Sequence, residues 1–228
     1  WSTDYLRTEG AAPTNPEKQF TQSYRILLPG LGATYQMAND TTLFAGIHQG
    51  FSPARPNRDI EDEEPDASFL GTKPEQSINY EVGFRSAALP ATQLDATLFY
   101  TDFDQIVIQS TQRRYINAGR SHQAGLELTG QLNFAELYHT SYNVYLHANY
   151  TNLFLAEFRS LQKTFDDKGE NIISTSSFEI GNRLPYAPKQ MLSFAVGFEN
   201  AQNNIMKSTN YFVFVFLQYK EKMLTDKA

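Results

Sequence analysis

Cysteine does not occur in the 228 residues, so disulfides, thiolate metal sites and cysteine nucleophiles are all excluded. Long apolar runs are missing as well. No window approaches the roughly 18–20 uninterrupted apolar residues of a membrane-spanning helix. Clustered positive charge is also lacking: with 19 Lys and Arg against 25 Asp and Glu, the net charge of −6 leaves no basic footprint for nucleic acid. Catalytic signatures are equally absent. His48, His122, His139 and His147 form no His-Glu-x-x-His pair, and no Gly-x-Ser-x-Gly elbow occurs. The stretch from Gly30 to Tyr35 lacks the last glycine of a dinucleotide fingerprint. The chain therefore reads as a non-enzyme with no cofactor and no metal site. It opens at Trp1 without a basic segment followed by an apolar one, and an internal start is the expectation.

What the chain does contain is aromatic residues and alternation. Seventeen Phe and 13 Tyr stand beside a single Trp, with a mean hydropathy of −0.46. A negative mean does not argue against a membrane protein whose strands alternate, because the two faces average out. In "SINYEVGFRS", Ile78, Tyr80, Val82 and Phe84 fall on one side of an extended chain, with Asn79, Glu81, Gly83 and Arg85 on the other. The same period of two runs through "GLGATYQM", "LFAGIHQGF", "QLDATLFYTDF", "AGLELTGQLN", "YNVYLHANYTNLF" and "MLSFAVGFEN". Phe99 interrupts the polar side of its segment. A further strand is expected at Tyr211–Tyr219, apolar almost throughout.

The connections alternate in length. Short links are expected at Asn39-Asp40, Ala87–Ala91 and Phe134–Ser141, and long ones at Ser52–Glu75, Asp104–Ser121 and Leu155–Pro188. Compact soluble domains rarely carry structureless loops beyond about 15 residues. Outer-membrane barrels combine short periplasmic turns with long extracellular loops, and strands of about ten residues match a tilted bilayer crossing. The spacing favours an all-β, antiparallel transmembrane barrel wall; the alternative is a soluble β-sandwich with long crossovers.

Four stretches, in order, carry a family resemblance: "LFAGIHQGFSPARP" (Leu43–Pro56), "KPEQSINYEVGFR" (Lys73–Arg85), "YINAGRSHQAGLELTGQ" (Tyr115–Gln131) and "GNRLPYAPKQMLSF" (Gly181–Phe194). Together they resemble the C-terminal part of the barrel of a TonB-dependent outer-membrane receptor, with a leaning toward the ferric dicitrate and siderophore types. The resemblance implies a bacterial outer-membrane location and about eight strands of a barrel of about 22 with a plugged lumen. Residues 1–200 then form a partial barrel, and residues 201–228 an atypical tail. A truncation or a shifted reading frame is the expectation for that tail. Implied partners are a ferric chelate, outer-membrane lipid and lipopolysaccharide, and the TonB energy-coupling complex acting through a plug that nothing here resembles.

In such a barrel Glu81, Arg85, Glu127 and Gln131 face the lumen, as do Asn79, Asp95, His147 and Glu199. Arg55, Arg58, Arg113, Arg114 and Tyr115 lie in long loops, where guanidinium forks suit the carboxylates of an anionic iron chelate. The acidic run Asp59–Asp66 lacks the spacing and turn glycine of a calcium loop and reads as a solvated loop. A receptor fragment for ferric-chelate uptake is the leading functional reading. A passive pore or structural barrel, and a soluble β-rich binding domain, are the alternatives.

Overall fold

The computed structural model describes residues 2–6, 21–53, 73–109, 115–139, 142–161, 179–200 and 212–223. Two short strands, β1 (Ser2–Leu6) and β2 (Thr21–Arg25), pair antiparallel by themselves. Eight more form one antiparallel sheet: β3 (Gly30–Ala38), β4 (Thr41–Ser52), β5 (Glu75–Ser86), β6 (Thr92–Gln109), β7 (Tyr115–Asn133), β8 (Tyr142–Leu161), β9 (Gln190–Asn200) and β10 (Phe212–Lys220). Their spatial order is their sequence order, so each strand pairs with the next along the chain. The sheet is an up-and-down meander and does not close on itself, as befits a stretch of barrel wall.

Partners across an antiparallel pair share a face, so the register extends the alternation of one strand into a property of the whole sheet. Leu31, Ile47, Tyr80, Tyr100 and Ala124 lie in one row, and Tyr35, Leu43, Phe84, Ala96, Leu128, Tyr150, Leu192 and Tyr219 lie in another. Every member of both rows is on the apolar face. Opposite it runs a polar row: Thr42, Arg85, Asp95, Thr129, Asn149, Ser193 and Gln218. Side chains bridge much of that row. Arg85 Nε donates to Asp95 Oδ1 at 2.8 Å, Thr129 Oγ1 donates to Asn149 Oδ1 at 2.9 Å, and Asn149 Nδ2 donates to Ser193 Oγ at 3.2 Å.

Nothing in the described residues covers the apolar face. Leu31 is 77%, Val82 54% and Leu98 51% exposed, where a two-layer sandwich would bury them against a second sheet. The soluble-sandwich alternative fails on this point, because a continuous apolar face of eight strands cannot stand in water.

Aromatic residues on the polar face have a different use. Phe44 stands directly across from Gly83, Phe99 from Gly125 and Tyr145 from Gly197. Each ring lies over the bare backbone of its glycine. A Cβ at Gly83 would meet the carbonyl oxygen of Ala96 and lie 2.6 Å from Phe44 Cζ, and one at Gly125 would lie 2.6 Å from Phe99 Cζ. The glycines provide room for the rings to lie flat against the wall instead of projecting from it. Phe99, an interruption of the polar pattern in sequence, is half of such a pair.

Three strands exceed expectation. β6, β7 and β8 contain 18, 19 and 20 residues, roughly twice what a tilted crossing requires, so their upper ends stand beyond the apolar belt. The long link expected at Asp104–Ser121 is mostly strand, and the one expected from Leu155 starts only after Leu161. Alternation hides these extensions because the ladder is irregular there: Gln105 has φ +57° and Gly119 +119°, and the β6–β7 register shifts around Ile106. The upper ends also bury a small core. Ala118 and Phe158 are at most 1% exposed and pack with Ile106, Phe103, Leu161 and Leu184.

At the lower end the link after β7 contains a one-turn helix, α1 (Phe134–Tyr138). Asn133 caps it by accepting from Glu136 N, and His139 ends it in the left-handed region at φ +52°.

The glycine–ring pairs predict a contrast in the full-length protein in detergent micelles. Gly83→Ala forces both a backbone oxygen and the Phe44 ring to move and should cost about 1–3 kcal/mol, whereas Gly32→Ala, with only Ala45 O at 3.5 Å, should stay within about 0.5 kcal/mol. Denaturant midpoints of the two variants measure the difference.

Candidate functional site

Two regions of the wall concentrate polar chemistry: the polar face along its height, and the shoulder where β5 to β8 rise above the apolar belt. On the polar face the register brings Glu81, Arg85, Glu127 and Gln131 to one side of the sheet, with Asn79, Asp95, His147 and Glu199. Glu81 lies over its cross-strand partner Gly46, where a Cβ would fall 2.8 Å from the carboxylate oxygen. Thr101 Oγ1 donates to Asn79 Oδ1 at 3.0 Å, and Asn143 Nδ2 donates to Glu199 Oε1 at 2.6 Å. The Arg85–Asp95 ion pair is wet, with Arg85 64% exposed, and contributes at most about 1 kcal/mol. This face can present hydrogen-bonding groups and both signs of charge to water or to a polar partner. No group of three or more His, Asp or Glu able to hold a metal occurs among the described residues.

The shoulder is built from the residues of the family-like stretches. Where the β6–β7 ladder breaks at Gln105, two side chains replace the missing backbone bonds. Glu75 Oε1 accepts from Val107 N at 2.6 Å. The Asn117 amide pairs with Lys73 in both directions, its Oδ1 accepting from Lys73 N at 2.6 Å and its Nδ2 donating to Lys73 O at 2.9 Å. The same Nδ2 donates to Gln105 O at 2.9 Å. On the other flank the segment from Glu179 to Lys189 runs along β8, with Gly181 N donating to Phe158 O and Leu184 N to Ala156 O. Arg183 fastens that segment by donating to Leu153 O at 2.9 Å and Ala187 O at 3.1 Å.

On the outer side of the same shoulder, Arg120 and Arg159 both donate to Asp102 Oδ2, at 3.1 and 2.9 Å. Asp104 stands 4.0 Å from Arg120. These residues continue the face that lower down is apolar: Asp102 pairs with Ile78 and follows Leu98 and Tyr100 along β6. Tyr80 and Tyr100 lie just beneath, their ring centroids 6.1 Å apart. The belt thus ends in tyrosines and then in ion pairs, an order that suits a membrane–water boundary.

The loop candidates fall differently. Arg55, Arg58, Arg113, Arg114 and the acidic run Asp59–Asp66 lie outside the described residues, and Tyr115 is described only as the first backbone position of β7. Sequence reasoning missed Asn117, Arg183 and the Asp102–Arg120–Arg159 group. Asn117 and Arg183 sit inside stretches already singled out, but only coordinates show that their side chains bond to backbone. No sequence signal unites Asp102 with arginines on two other strands.

Comparison with known proteins accords with this geometry. The ferric yersiniabactin uptake receptor FyuA from Yersinia pestis superposes with a TM-score of 0.52 at 22% identity, over 81% of this chain and 25% of its own. For the ferric citrate transporter FecA in its unliganded form the values are 0.52, 20%, 82% and 25%. For the siderophore receptor PiuA from Acinetobacter baumannii they are 0.56, 18%, 93% and 31%. The chain thus spans between a quarter and a third of those structures. No curated protein matches it in sequence. The family model described as TonB dependent receptor-like, beta-barrel matches residues 2–223. Nearly the whole chain is therefore accounted for, and it belongs to the TonB-dependent receptor β-barrel family, whose members are outer-membrane transport receptors and not enzymes.

Proposed function

We propose that the chain is part of the wall of a receptor that binds a ferric chelate at the cell surface and admits it through the barrel when a plug is displaced by the TonB complex. The observation that carries this reading is the two-sided wall: among the described residues, one apolar face continuous over eight strands is uncovered, and the opposite, polar face has no apolar layer against it. Lipid and lipopolysaccharide satisfy the first face, and a wet, plugged lumen satisfies the second. Glu81, Arg85, Glu127 and Gln131 then face the lumen. The uptake class is supported by the iron-chelate and siderophore receptors that share the fold.

Chelate recognition belongs to the long connections, because variable loops on a rigid scaffold carry binding. Arg55, Arg58, Arg113 and Arg114 supply the forks that grip carboxylates or other anionic oxygens, and Tyr115 supplies a ring and a hydroxyl. The process is binding and gated passage, with no bond made or broken in the chelate.

Two predictions follow from this assignment. In cells lacking other iron receptors, the full-length protein should support energy-dependent uptake of radioactive iron from at least one of ferric citrate, a ferric catecholate and ferric yersiniabactin. Uptake indifferent to energy coupling would indicate a passive pore instead. Placing an arginine in mid-belt should cost about 2–4 kcal/mol in Val82→Arg, while Thr97→Arg on the polar face should cost much less. Folding titrations of the full-length receptor into lipid vesicles compare the two.

A further inference from the structure

The shoulder above the belt poses a problem that the wall below does not. Below, lipid and the regular ladder hold every strand; above, the ladder breaks and only a small core lies behind it. Backbone groups freed by such a break must find partners or carry a desolvation cost. At this break the partners are the side chains of Asn117 and Glu75, and both act on the point where the chain enters β5.

The pairing of β5 with β6 begins at Gln76↔Asp104, so the Lys73 peptide lies beyond the ladder. The Asn117 amide pairs with that peptide as a strand neighbour would, through one donor and one acceptor, and its remaining proton goes to Gln105 O. Glu75 reaches the opposite way, from β5 to Val107 N. Three strands are thereby tied in a ring of side-chain bonds that spans the irregular turn at Gln105. Ala118, the neighbour of Asn117, is fully buried in the small core, which fixes the backbone from which the amide projects. Asparagine is well suited to this place: its short side chain presents a peptide-like donor and acceptor together.

We propose that Asn117 is a positioning residue for chelate recognition: it locks the strand entry Lys73–Glu75 to the β6–β7 shoulder, so that the chain enters β5 at a fixed point. The proposal rests on the receptor reading above. Recognition groups on loops need support that holds them to within about half an ångström, and this clamp is where the described wall supplies it.

The test compares the full-length receptor with Asn117→Ala, Asn117→Asp, Glu75→Gln and, as a control that removes two side-chain bonds elsewhere on the wall, Asn149→Ala. Hydrogen exchange in micelles is read at Lys73 and Val107. Iron uptake in cells is read as half-saturation and maximal rate for whichever of ferric citrate, the ferric catecholate and ferric yersiniabactin the wild type carries. Asn117→Ala should speed exchange at both amides together by about tenfold or more and raise the half-saturating concentration with the maximal rate unchanged. Asn117→Asp keeps the acceptor for Lys73 N and should fall between Asn117→Ala and wild type. Glu75→Gln keeps the acceptor for Val107 N and should stay near wild type, and Asn149→Ala should move neither readout. Wild-type exchange at Lys73 in Asn117→Ala, or faster exchange with unchanged half-saturation, would overturn the positioning role while leaving the receptor reading intact. Failure of the wild type to carry any of the three chelates would overturn the receptor reading itself, and the positioning role with it.

Discussion

Everything in this wall depends on register. In each of the seven pairings of the eight-stranded sheet, the register along the crossing sets apolar residues mainly against apolar residues. A slip of one residue in any pairing would turn an entire strand around and place Glu81 or Asp95 among leucines. Backbone hydrogen bonding and side-chain sorting are thus a single constraint. Lipid offers no hydrogen bonds, so a spanning strand must satisfy its backbone through its neighbours, and those neighbours must present the same face. The consequence is a layer one strand thick that needs no core of its own.

That thinness explains where the side-chain chemistry sits. Along the crossing, polar residues bond sideways to the next strand, as in the Thr129–Asn149–Ser193 series, and rings lie flat over glycines. Above the crossing the sheet loses its lipid, and other means replace it: a small apolar core around Phe158, carbonyl-bound Arg183, and the Asn117 and Glu75 clamp. The first and last strands of the sheet, β3 and β10, each keep one unpaired edge among the described residues. In hydrocarbon such edges require further strands, in keeping with a chain that spans a quarter to a third of the related structures.

The crossing itself was legible in sequence because a period of two is written directly into residues such as Ile78 to Arg85. The shoulder was not. Its strands carry Gln105 and Gly119 in left-handed or strained backbone, and each irregularity shifts the alternation, so a real strand looks like a loop. β10 was hard for the opposite reason: Phe214 and Phe216 lie on the otherwise polar side and Val213, Val215 and Leu217 on the apolar one, so no alternation marks it. The helix Phe134–Tyr138 was hidden inside a short link. Clusters such as Asp102 with Arg120 and Arg159 are invisible to any one-dimensional pattern, because their members are neighbours only across strands. By contrast, the stretches with Glu75, Asn117 and Arg183 stood out before their contacts were known, and the bonds these residues make to backbone give that prominence a physical reason.

The central claim is that the apolar face of this sheet meets lipid and the polar face does not. The 228 residues contain no cysteine, and in a full-length receptor cleared of any other cysteine, single cysteines can be placed along β5 and spin-labelled in vesicles. Labels at Ile78, Tyr80, Val82 and Phe84 should relax with membrane-dissolved oxygen, and labels at Asn79, Glu81 and Arg85 with a water-soluble nickel complex, in strict alternation. Equal accessibility of both sets to the nickel complex, or oxygen contact at Glu81 in place of Val82, would contradict the account.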